Sequence, residues 1–167
     1  MSKLMRGLAL SGVALLMVVL NDARAQRGFE LISPAEAQSE ARAQADAPEQ
    51  IAPRAAASPR GDATAIRVVS PTTVAGGGGV AAPVRIEVAF KPAPGARIVP
   101  SSFRVLYGLL KIDLTDRLRK HATVSESGVV VEQAQVPDGQ HRLILQVADD
   151  QGNTAEQELR LRVGAAS

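Results

Sequence analysis

From Ile66 to Val163 apolar and polar residues alternate with a period of two, the spacing of strands that bury one face. Ile66 and Val68 flank Arg67, and Val84, Ile86, Val88 and Phe90 alternate with Arg85, Glu87 and Ala89. Phe103, Val105 and Tyr107 share one face, and Leu110, Ile112 and Leu114 share another across Lys111 and Asp113. Val129 and Val131 open a strand that stops at Pro137-Asp138-Gly139. In the last two strands Leu143, Leu145 and Val147, then Leu159, Leu161 and Val163, form the inward rows, with Ile144 on the opposite face. Turn chemistry separates these runs at Ser70-Pro71, Gly76 to Gly79, Pro92 to Gly95, Tyr107-Gly108, Ser127-Gly128 and Gln151-Gly152-Asn153. The one helical candidate among them, Thr115 to His121, is long enough for a turn or two. About seven strands in roughly 100 residues predict an all-β fold, an antiparallel β-sandwich over residues 64–165 whose two inward faces cover each other.

Residues 26–63 read differently. They are rich in Ala, Gln, Glu, Arg and Pro and carry few large apolar groups, so they are expected to form a low-complexity tail, disordered or partly helical, that the sandwich does not need in order to fold. One helix is predicted there. Ser33 is an N-cap, Pro34 takes the first helical position, Glu36 completes a capping box, and Ala-rich sequence continues to about Ala45. The alanines give propensity without an apolar stripe, so this helix is marginal alone. Phe29, Leu31 and Ile32 are the sizeable apolar cluster of the tail, with two uses open to them, stapling the helix or docking on a partner; a staple or plain disorder is the simpler expectation. Pro48, Pro53 and Pro59 keep the chain extended up to the folded part.

The first 25 residues predict an address. Lys3 and Arg6 form a basic head, Gly7 to Leu20 is an apolar run, and Ala23-Arg24-Ala25 offers small residues at Ala23 and Ala25 for signal peptidase. The run falls short of the roughly 18 to 20 residues that a helix needs to cross the bilayer core. A cleaved signal peptide, and a periplasmic or secreted product with no membrane span left after cleavage, are expected.

Charge and cysteine content narrow the function classes. Cleavage removes Lys3, Arg6 and Arg24 against Asp22 alone, which brings the 19 basic and 17 acidic residues to equal numbers. A basic isoelectric point therefore argues nothing for nucleic acid, which needs a concentrated positive surface. With no cysteine, a disulfide framework, a thiolate metal site and a lipid-modified cysteine are all excluded. Three Phe, one Tyr and no Trp leave Val, Leu, Ile and Ala to build the core.

Several stretches in the last 60 or so residues carry a resemblance. Tyr107-Gly108, Ile112-Asp113-Leu114-Thr115, a Gly128-led strand, the run Val136 to Leu143, the run Val147 to Thr154 and the closing Leu161-Arg162-Val163 resemble the bacterial immunoglobulin-like domains. The resemblance covers roughly residues 65–164 and is best at the final hairpin. It implies an exported, envelope or surface module with a spacer, adhesion, carbohydrate-contact or accessory role. It also implies a role for His141, which stands where such domains commonly place a Tyr that hydrogen-bonds back onto the preceding loop. The antibody-type Cys and Trp are absent.

Candidate chemistry is sparse. Neither histidine lies in a catalytic context, and G-x-S-x-G, H-E-x-x-H and Walker A motifs are missing, so no catalytic residue, enzyme activity or cofactor is expected. His121, beside Arg117, Arg119 and Lys120, reads as part of a solvated basic turn. Asp149, Asp150 and Asn153 place three oxygen-bearing side chains around a tight turn and form a candidate Ca²⁺ site, against the plainer reading of an Asx turn with Gly152 at positive φ. Gly76 to Gly79 lacks the Lys and the helix of a phosphate loop, and Arg60-Gly61-Asp62 spells a tripeptide that integrins read. The expectation is a non-catalytic exported module that binds protein partners or serves as a structural or accessory component of the envelope. The alternative is a carbohydrate or cell-wall binding module, which the inward placement of Phe90, Phe103 and Tyr107 weakens.

Overall fold

The computed structural model describes residues 28–47, 63–71 and 79–164. The expected signal with Ala23 and Ala25, the prolines at 48, 53 and 59, the Arg60-Gly61-Asp62 tripeptide and most of the glycine run lie outside the described residues. In chain order the elements are β1 (Phe29–Glu30), α1 (Pro34–Asp46), β2 (Ala65–Ser70), β3 (Val84–Lys91), β4 (Ile98–Tyr107), β5 (Ile112–Asp113), α2 (Thr115–Arg119), β6 (Ala122–Val124), β7 (Gly128–Gln135), β8 (Gly139–Asp149) and β9 (Thr154–Val163).

Two sheets face each other, as the alternation requires. In one, β2, β3 and β7 run antiparallel in that spatial order, and the far edge of β7 takes β6 along its first half and β1 along its second. In the other the order is β5, β4, β8, β9, again antiparallel. Between them lie Val84, Ile86, Val88 and Phe90 of β3 and Val129 and Val131 of β7, opposed by the inward rows of β4, β8 and β9, with Leu143, Leu145 and Val147 at the centre. The rings of Phe90 and Phe103 meet across the layers at 5.6 Å.

The structure departs from the expectations in several places. Nine strands are described where about seven were expected, because β1 and β5 have two residues each and β6 has three, lengths too short to show a period. β1 also joins β7 in parallel. Leu110 does not share a buried face with Leu114; it sits in the turn after β4 and is 53% exposed. Ile144, on the outer face of β8, is nonetheless buried, in a row with Leu106 of β4 and Glu158 of β9.

The largest departure is the tail. Leu31 and Ile32 are fully buried in the core shared by the two sheets, a contribution of about 1.5 to 3 kcal/mol each. Residues 28–46 are thus an arm of the folded domain, and the low-complexity composition hid this because its few apolar groups are concentrated in one place. The helix itself forms as its caps dictate. Ser33, at φ −77° and ψ 154°, accepts the N–H of Glu36 at 3.2 Å on its hydroxyl, and the Glu36 carboxylate accepts the N–H of Ser33 at 2.8 Å. Pro34 opens the first turn. With no apolar stripe to bury, α1 is held to the sandwich mainly by its acids.

Candidate interaction surfaces

Glu40 is the most buried acid of the arm, 1% exposed. Its carboxylate accepts the main-chain N–H of Leu109 at 2.7 Å and of Leu110 at 3.5 Å, and the side-chain amide of Gln44 at 2.9 Å. Gly108 makes room for it: φ is +68°, and a Cβ there would fall inside the carboxylate. Glu36 reaches further, to α2, where the Arg117 guanidinium binds it through both terminal nitrogens at 2.8 and 3.0 Å. That fork holds the Glu36 carboxyl at about 2; burial opposes it, and the Ser33 N–H and hydroxyl add to it. Arg117 also donates to the Leu31 carbonyl at 2.8 Å, and the His121 ring stacks on Phe29 at 4.3 Å. His121 is exposed, as expected, but it is part of this clasp, and so is Arg117.

Arg119 has a second role. One of its terminal nitrogens donates to the carbonyls of Ser101 at 2.7 Å, Phe103 at 2.9 Å and Pro100 at 3.5 Å, along the open edge of β4. Thr115 continues the cover by accepting the N–H of Val105 at 3.0 Å, and the Leu114 N–H donates to the Val105 carbonyl at 2.9 Å. Asp113 positions Thr115 by accepting its N–H at 2.8 Å, and the hydrogen bonds from Thr115 hold the Asp113 carboxyl below its usual range. The basic stretch expected to be a solvated turn therefore seals one side of the sandwich, with α2 packed on both β4 and β6.

His141 lies near the start of β8, 4% exposed. Its Nε2 is 2.7 Å from the Pro137 carbonyl in the loop before the strand, and its Nδ1 is 3.0 Å from the Tyr107 hydroxyl. A carbonyl cannot donate, so the proton sits on Nε2 and Nδ1 accepts from Tyr107. Burial pushes the His141 pKa down, with the Pro137 carbonyl acting the other way. Tyr107 is pushed up to about 12, first by burial and then by the charges of Glu40 and Glu36.

Of the candidate Ca²⁺ residues, Asp149 and Asn153 bond each other and Asp150 turns elsewhere. Asp149 points inward, where one carboxylate oxygen accepts from the Thr64 hydroxyl and the Asn153 amide (2.9 Å) and the other from the N–H groups of Gln151 (3.1 Å) and Asn153 (2.9 Å). Asp150 instead accepts the Arg97 N–H at 2.9 Å. Burial raises the Asp149 pKa, and the four donors outweigh it, leaving the group at about 2. With Gly152 at φ +84°, this is a hydrogen-bonded turn. Among the described residues no three of His, Asp and Glu gather as a metal set.

Among the clefts on the described surface, two have described linings. One, of about 290 Å³, lies over β4, β8 and β9 and is lined by Ser102, Gln146 and Glu156 among others; the second, about 210 Å³, is lined by Arg104, Asp113, Asp116 and Arg119. Neither includes a histidine, and Ser102, Asp113 and Arg119 already spend their polar atoms on the main chain.

The strand edges set the two sides of the sandwich apart. On the arm side the edges of β4 and β7 are covered by Arg119, Thr115, β5, β6 and β1. On the other side β2 and β9 end the two sheets and pack beside each other. Among the described residues the one main-chain partner on that side is Val80, which donates to the Arg162 carbonyl at 2.8 Å and accepts from the Gly164 N–H at 3.1 Å. Sequence reasoning missed this asymmetry, since Arg117, Arg119, Glu40 and Thr115 carry no local signal of their partners. No family model matches the chain, and no curated protein matches it.

Proposed function

We propose that this chain is a non-catalytic exported module, an immunoglobulin-like sandwich that binds protein partners in the periplasm or outside the cell through its unsealed strand edges. The strand order supports the immunoglobulin-like reading: β2-β3-β7-β6 opposite β4-β8-β9 follows the ABED and CFG sheets of that fold, with β5 added beside β4 and β1 added beside β7. The observation that carries the binding role is the asymmetry of the edges. One side is closed by the chain's own arm and α2, while on the other, among the described residues, β2 and β9 present main-chain groups that an extended partner strand can pair with.

A photo-reactive residue placed at Arg160 on β9, in the chain expressed in bacteria, tests this, with the same residue at Lys120 on the sealed side as control. Cross-linked protein adducts in the exported fraction from position 160 and none from position 120 are expected. Adducts from both positions alike, or from neither, overturn the edge-binding role.

A further inference from the structure

We propose that β9 pairs with β9 of a second copy of this chain, antiparallel about Leu159, which joins two four-stranded sheets into one. This rests on the edge-binding reading above and names the partner. The main-chain alternation decides which groups are on offer. Because the Arg162 carbonyl and the Gly164 N–H both turn to Val80, the even-numbered residues of β9 direct their main-chain groups away from β8. Glu158 agrees: its carbonyl is held by the side-chain amide of Gln157 at 2.9 Å. Among the described residues, no strand pairs with Glu156, Glu158 or Arg160 on that edge.

The side chains of the same even-numbered positions read Glu156, Glu158, Arg160 and Arg162 along the outer face, while Ala155, Leu159, Leu161 and Val163 are buried inward. Antiparallel self-pairing about Leu159 sets Glu158, whose carboxylate within one copy already binds Arg142 at 2.8 Å and its own Arg160, opposite Arg160 of the second copy twice over, and it leaves Glu156 and Arg162 as flanking opposite charges. Those facing residues exchange both main-chain hydrogen bonds, and opposite charges directly across a ladder favour the pair. A shift of two residues in one direction puts Glu158 against itself, and in the other puts Arg160 against itself. Larger shifts set Glu156 against Glu158 or Arg160 against Arg162. The charge pattern is therefore complementary to its own reverse in one register only. Val80 bounds the ladder at Arg162, so it spans Gln157 to Leu161.

The chain has no cysteine, which makes introduced ones unambiguous. Glu158→Cys and Arg160→Cys chains, mixed and mildly oxidised, should form a disulfide-linked hybrid at least about tenfold faster than either chain alone, because only the hybrid places the two cysteines face to face and keeps one Glu158–Arg160 pair. In sedimentation, the Glu156→Arg/Glu158→Arg chain and the Arg160→Glu/Arg162→Glu chain should each be monomeric and should dimerise on mixing, as the parent does alone. A parent that stays monomeric to about 1 mM, or cross-linking equal in all combinations, overturns self-pairing. If the charge-reversed chains fail to melt cooperatively, the cysteine experiment on its own decides. A monomeric parent whose position 160 still forms adducts in cells sinks self-pairing but leaves the edge-binding role standing. A monomeric parent without adducts sinks both.

Discussion

The carboxylate of Glu40 accepts the N–H of Leu109 at 2.7 Å, a bond between a helix of the arm and a turn 69 residues later. The turn has no other described partner for that N–H, and Gly108 leaves no space for anything larger than its own hydrogen. Glu40→Ala should therefore lose about 1 to 3 kcal/mol, the cost of stranding buried donors, and Glu40→Gln should lose less because an acceptor oxygen remains. Gly108→Ala should be at least as damaging as Glu40→Ala. Urea melts of the three variants check this, and a Glu40→Ala chain that melts like the parent would show that the contact contributes nothing.

Removal of the arm should expose a wound in the core. A chain starting at Ala63 lacks Leu31, Ile32 and the β1 pairing, and is expected to melt at least several degrees lower than one starting at Gln26. Equal melting temperatures would mean that the core closes over the empty seat.

The Glu36–Arg117 fork makes the arm sensitive to acid. The Glu36 carboxyl lies at about 2 in the fold against an ordinary 4.5, so its contribution is complete above pH 4.5 and is lost as pH falls towards 2. Hydrogen exchange of residues 34–46 should accelerate over that window relative to β8, and Glu36→Gln should flatten the response. An arm that opens equally at pH 5 and pH 2.5 contradicts it.

Protonation of His141 should also destabilise, in a higher window. Burial lowers its pKa below the usual 6.5, so the unfolded chain takes up the proton first and stability falls as pH drops below about 6.5. His141→Ala should remove this dependence and cost about 1 to 3 kcal/mol. His141→Tyr is expected to recover only part, because one hydroxyl cannot both reach the Pro137 carbonyl and replace Nδ1 as acceptor for Tyr107. Full recovery by tyrosine would show that the Tyr107 contact is incidental.

Leu145→Ala should cost roughly 2 to 5 kcal/mol, being central in the shared core. Ile144→Ala faces outward yet is buried beside Glu158, which gathers Arg142 at 2.8 Å and Arg160. Its loss should be smaller than that of Leu145 but well above the half kcal/mol or so of an ordinary surface change. Near-zero loss at Ile144 would show that the charged cover collapses onto the space without strain.

The longer strands were legible because their periods are local: β3, β8 and β9 alternate over eight or more residues, and each inward row can be named from neighbours alone. The capping box of α1 was legible for the same reason, since Ser33, Pro34 and Glu36 act within one turn. What could not be read was any role set by a distant partner. Composition marks residues 28–46 as a poor core builder, and by themselves they are; Leu31 and Ile32 gain their burial from strands that follow residue 63. Arg117 and Arg119 look like solvent charges until Glu36 and the β4 carbonyls are brought within 3 Å of them. His141 stood between the two cases. Its bond to Pro137 spans four residues and was expected, while its bond to Tyr107 spans 34 and was not.

The parallel pairing of Phe29 and Glu30 with Ala134 and Gln135 also sets a clock. The arm is made first and can seat last: as the chain grows from its N-terminus, Leu31 has nothing to donate to until Gln135 exists, about a hundred residues on. Throughout that interval Phe29, Leu31 and Ile32 travel as an uncovered apolar cluster, and the rest of the sandwich must close around a gap they will fill. Contacts of such long separation slow folding, so the last slow step in this molecule should be the insertion of Phe29 to Ile32.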